Sequence, residues 1–113
     1  MPLYHAQYAQ ESLDKLFEDC ENDSLCNATY PNLRNEFISL MQRGEKKPFV
    51  YRLALANGNS QEITIPWYAF HTKMRSLMYM PFGMRQVPFL IHEANHNNWK
   101  PFISLFPTES SFD

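Results

Sequence analysis

Glycine is scarce in this chain: Gly44, Gly58 and Gly83 are the only three in 113 residues. No two of them bracket a serine, which excludes the G-x-S-x-G turn that presents a nucleophilic serine. Basic charge is not in excess either. Ten Lys and Arg stand against twelve Asp and Glu, for a formal charge of -2 at pH 7, so the electrostatic footprint of a nucleic-acid-binding domain is missing and no nucleic-acid partner is expected. No apolar run approaches the roughly 20 residues needed to span a bilayer. Met1-Pro2-Leu3-Tyr4-His5 also lacks the basic start and apolar stretch of a signal peptide, and no membrane partner is expected. Internal repeats and low-complexity tracts are absent.

Apolar residues are what the chain has in quantity. They make up 44% of it, with nine Phe, six Tyr and six Met, enough for a packed core and too many for a disordered segment. The length suits one folding unit. So large a share of aromatic and Met side chains also suggests that part of the apolar surface faces a partner or ligand.

From Pro2 to about Cys20, Ala6, Ala9, Leu13, Leu16, Phe17 and Cys20 recur at helical spacing and leave Gln7, Gln10, Glu11, Asp14, Lys15 and Glu18 on the other face. Asn22, Asp23 and Ser24 break this helix, and Asp23 or Ser24 is placed to cap a short one running to Tyr30. Pro31 opens the next helix, whose buried face is Leu33, Phe37, Leu40 and Met41 and whose stop is Gly44. After Lys46-Lys47-Pro48 the period changes to two. Phe49, Tyr51, Leu53 and Leu55 alternate with Val50, Arg52, Ala54 and Ala56, Asn57-Gly58-Asn59-Ser60 turns the chain, and Ile63 and Ile65 alternate back, which predicts a β-hairpin packed on the helices.

Pro66 then starts a helix carrying Phe70, Met74, Leu77 and Met78, ending near Tyr79. Met80-Pro81-Phe82-Gly83 reads as a break. Val87, Leu90, Ile91 and Ala94 define another helix with Pro88 in its first turn, ended by Asn95 to Asn98. Trp99 to Phe106 reads as a last short helix or turn. The expected fold is mainly α within the α+β class: a helical domain of about five helices over residues 1–107, one hairpin near 48–65, and a loose tail at 108–113.

The corner between the first two helices resembles the cap segment inserted into serine α/β-hydrolases of the prolyl aminopeptidase and tripeptidyl-aminopeptidase-like group. There a helix of the form L-x-x-L-F-x-D-C is followed by a polar turn, a second Cys, a small-residue run and Tyr-Pro; here Leu13, Leu16, Phe17, Asp19, Cys20, Cys26, Ala28, Tyr30 and Pro31 fall on that pattern. The later features are similar at Leu77, Tyr79, Leu90, Ile91, Ala94 and Trp99. Met78 interrupts the usual Leu-Tyr pair, and Asn95-His96-Asn97-Asn98 replaces the usual small-residue and Gly turn.

The resemblance implies a lid rather than a whole enzyme. In the family the serine elbow precedes the cap and the acid and His follow it, so no catalytic residue is expected here and the chain alone should be inactive. The implied partners are the α/β-hydrolase core of the same parent chain and a small peptide substrate, with no cofactor. The resemblance favours an exported parent over a cytoplasmic one, and with it a Cys20–Cys26 disulfide. Buried thiols are the alternative. Phe70, Met74, Tyr79 and Phe82 gather near one helix end, where in a cap they would line a substrate pocket and in a free-standing domain would be core. Caps of this kind also use carboxylates to bind a free α-amino group, and Glu62 and Glu93 are the candidates, set against a solvated role. Cut from its core, a cap is expected to self-associate.

Two further readings compete. One is a small independent interaction domain that uses its Met and aromatic surface. The other starts from His92-Glu93-Ala94-Asn95-His96, which matches H-E-x-x-H and would place two imidazoles one turn apart with a Glu to activate water, making a zinc-dependent hydrolase. Against this, the helix is expected to end near Asn95 and the third ligand is poorly supplied, since Glu109 lies in the tail. An ordinary helix C-terminus, where His meets the dipole favourably, is the plainer account. Asn27-Ala28-Thr29 fits the glycosylation sequon, a short pattern that also arises by coincidence.

Overall fold

The computed structural model describes residues 2–106, with side chains from Ser12 onward. The side chains of Ala6 and Ala9 on the first helix, and the whole tail at 108–113, therefore lie outside what is described. The fold is a compact, mainly helical α+β domain with six helices and a two-stranded antiparallel hairpin among the described residues. In chain order the elements are α1 (Pro2–Asn22), α2 (Ser24–Thr29), α3 (Leu33–Lys46), β1 (Phe49–Ala54), β2 (Ser60–Ile65), α4 (Trp67–Leu77), α5 (Pro81–Asn95) and α6 (Lys100–Ile103). None of the described helices is long and apolar enough to cross a membrane.

The helices follow from their apolar spacing, and their inward stripes meet in one core. Leu13 and Phe17 of α1, Leu33, Phe37 and Leu40 of α3, Phe70, Met74 and Leu77 of α4, and Val87, Leu90, Ile91 and Ala94 of α5 are all buried in it. α5 is the central helix, packed against α3, α4 and α6, while α1 covers α3 and α4. Trp99 plugs the far end. It is fully buried, with its ring centroid 4.7 Å from Phe49, 5.3 Å from Phe70 and 5.8 Å from Phe102.

The hairpin pairs Phe49 with Ile65, Tyr51 with Ile63 and Ala54 with Ser60. Strand alternation puts Phe49, Tyr51, Ile63 and Ile65 against the helices, and leaves Arg52 and Glu62 facing solvent, paired at 3.4 Å. Leu55 belongs to the turn instead of the strand: its carbonyl accepts from Gly58 N–H at 3.1 Å, and its side chain is exposed.

Several boundaries differ from the local reading, each for a tertiary reason. Gly44 does not stop α3. It is buried inside the helix, and a Cβ there would collide with Trp67 Cβ and approach Phe49, so the glycine allows α4 and the hairpin to close on α3. Pro31 does not open α3: Asn32 is its N-cap and the helix starts at Leu33. The break after α4 is Met78 to Met80, since α4 ends at Leu77 and α5 already starts at Pro81. Gly83 lies in its first turn, where a Cβ would sit 2.5 Å from the Leu77 carbonyl oxygen. Pro88 is therefore interior to α5 and buried. An interior proline removes one hydrogen bond and costs about 3 kcal/mol, which burial of the apolar face around it offsets.

Candidate functional site

Two parts of the surface carry chemistry, and they lie at opposite ends of α5. At its C-terminal end, the i, i+4 spacing of His92 and His96 brings their rings together, tilted, with centroids 4.5 Å apart. The third member comes from α3. Glu36 follows Leu33 by one turn and precedes Leu40 by another, so it stands on the buried stripe of that helix, 9% exposed. Both of its carboxylate oxygens face His92 Nδ1, at 3.1 and 3.0 Å, and Oε2 lies 3.7 Å from His96 Nδ1.

Glu36 is further held by Asn95, whose Nδ2 donates to Oε2 at 3.4 Å. Asn95 is itself fixed by Arg43, which donates to its Oδ1 at 2.5 Å. A buried carboxylate is costly without such donors. One face of the cluster is closed by Tyr30, whose ring meets His92 edge-on at 5.4 Å. Burial, and secondarily the Glu93 carboxylate, hold the Tyr30 phenol above its ordinary value.

Glu93 does not join this group through a hydrogen bond of its own. Its Oε1 accepts from Asn98 Nδ2 at 2.8 Å, closing the C-terminus of α5. The H-E-x-x-H pentapeptide therefore brings His92 and His96 together, and the carboxylate between them comes from Glu36, a residue the sequence reading did not single out. The available signal was a lone charge on an otherwise apolar helical stripe.

At the other end, the four proposed pocket residues divide. Phe70 and Met74 are fully buried, because they sit on the inward face of α4, Phe70 against Trp99 and Phe102, so they are core and line no surface of the chain. Tyr79 and Phe82 are 47% and 78% exposed. With Met80, Met84 and Phe89 they account for half of the ten exposed large hydrophobic residues among those described, a concentration rather than a scatter. Phe82 and Phe89 are seven apart and share one stripe of α5.

The corner that carries the resemblance folds as a unit. Cys20 and Cys26 are joined by a disulfide, with Cα atoms 5.0 Å apart, and Asp23 caps α2 by accepting from Cys26 N–H at 2.8 Å. Glu62, the other amino-group candidate, is exposed and paired with Arg52. Comparison with protein-family models, with curated proteins and with solved structures returns no match.

Proposed function

We propose that this segment is the substrate-gating cap of a serine α/β-hydrolase resembling an aminopeptidase. The observation that carries the reading is the run of exposed large apolar residues Tyr79, Met80, Phe82, Met84 and Phe89, called the ridge below, of which Phe82 and Phe89 share one stripe of α5. Left in water, such a ridge is an unfavourable surface; laid over a catalytic core, it becomes the roof of an apolar pocket. The disulfide-pinned corner supports the same reading, because it holds α1, α2 and the Tyr30-Pro31 turn as one rigid piece.

In this role the cap excludes water from the reaction and shapes the space into which a small peptide fits. Nucleophile, acid and general base are supplied by the core of the parent chain. Tyr79 and Phe82 are the residues expected to touch substrate, whereas Phe70 and Met74 support the helix from behind.

The deciding experiment is to sequence the coding region on both sides of this segment. A G-x-S-x-G before Met1, with an Asp and a His after Asp113, is the expected result. A start codon at Met1 and a stop after Asp113 overturns the cap and leaves an independent interaction domain, for which the same ridge would be the contact surface.

A further inference from the structure

We infer that Glu36, His92 and His96 form a binding site for one divalent transition-metal ion of the zinc type. The inference stands apart from the cap reading and uses none of it. Each of the three residues offers one ligand atom, and these atoms all lie within 4.8 Å of one another. Around a tetrahedral zinc with bonds of about 2.0–2.2 Å, neighbouring ligand atoms are roughly 3.4 Å apart. The Glu36 Oε2 distances of 3.0 Å to His92 Nδ1 and 3.7 Å to His96 Nδ1 bracket that value, and an ion bound through His96 Nδ1 replaces the bond that this nitrogen now donates to the His92 carbonyl at 2.8 Å. An ion thus enters between imidazole and carboxylate groups that already stand near ligand spacing.

The surroundings are those of a built site. Glu36 is the buried charged residue among those described, and its orientation is fixed by Asn95, which Arg43 fixes in turn. Metal-ligating carboxylates are held by outer donors in this way. His96 is the exposed member, with 59% of its side chain accessible, so the open side of the site faces solvent and gives an ion its path in. Two imidazoles and one carboxylate favour zinc-like ions over magnesium or calcium, which prefer all-oxygen sets. Three protein ligands leave a fourth position for water. Because the ligands come from α3 and α5, the bound ion fastens the two helices together.

The test uses the untagged 113-residue chain, freed of metal with a chelator, titrated with zinc chloride by calorimetry and followed through the imidazole nitrogens by NMR. One zinc per chain is expected, with the ring nitrogens of His92 and His96 shifting on binding. Glu36→Gln and His92→Ala should each lower the affinity by more than about 100-fold, beyond what loss of an orienting residue costs. Glu93→Gln should bind as the parent does, and magnesium chloride should give no heat. Glu36→Gln keeps the shape of the side chain, and the NMR shifts need no variant, so the result does not hang on how His92→Ala folds. The inference is overturned by absence of saturable zinc binding, by imidazole signals that stay put, by a folded Glu36→Gln that binds like the parent, or by Glu93→Gln weakening binding as much as Glu36→Gln does.

Discussion

The two ends of α5 are opposites. At the C-terminal end the polar groups of Glu36, His92, Asn95 and Arg43 bond to one another in a chain. At the N-terminal end, residues 79–89 place five large apolar side chains in water. One end satisfies its polar groups internally; the other leaves its apolar side chains exposed. A domain that had to be stable alone would gain by covering the second end, and by the cap reading the core of the parent chain does so.

That contrast can be broken or sharpened by substitution. The largest effect belongs to the shared interior: Phe70→Ala should lose about 3–5 kcal/mol, because it empties space between Trp99 and Phe102. Urea unfolding reads the loss, and a value below 1 kcal/mol would mean that Phe70 is surface after all. Next, replacing Cys20 and Cys26 together by Ser opens a loop of sequence separation six. The expected loss is roughly 2 kcal/mol, read from the same unfolding curves; no loss would detach the corner from the stability of the domain.

His71 gives a smaller, pH-dependent effect. It is half-buried on α4 beside Phe37 and Trp67, and burial, then the nearby Arg75 charge, lower its pKa from 6.5. The folded state therefore holds this proton less tightly than the unfolded chain. Its contribution to stability is intact above 6.5 and falls as the pH drops through the interval down to the lowered folded value. NMR titration of the His71 ring should give a midpoint below that of the unfolded chain; an equal or higher midpoint would contradict its burial.

The smallest change in stability is expected at the ridge. Phe82→Ser with Phe89→Ser should alter unfolding by no more than about 0.5 kcal/mol per site, yet reduce hydrophobic-dye binding and self-association of the segment. If dye binding is unchanged, the ridge is not the sticky surface, and the comparison between the two ends fails.

Most of the architecture was legible because it is local. The 3.6-residue spacing of Leu13, Phe17 and Cys20, or of Leu33, Phe37 and Leu40, needs only the chain itself to be read, as does the alternation from Phe49 to Ile65. What escaped depends on contacts distant in sequence. Gly44 looks like a helix stop until Trp67 is seen resting on it, and Pro88 looks like a first-turn residue until Pro81 is found to hold that place. The site was half legible. His92 and His96 lie in one pentapeptide, but the carboxylate between them lies 56 residues earlier, where no short motif reaches.

The indole of Trp99 has a practical consequence. Its Nε1 is buried with no hydrogen-bond partner among the described residues, in a box of phenylalanines, while the chain's other indole, Trp67, is only half-buried at the start of α4. The two tryptophans therefore emit at different wavelengths, Trp99 to the blue of Trp67. Loosening the core should redden the emission mainly through Trp99. Intrinsic fluorescence can thus follow the interior of this domain without a label.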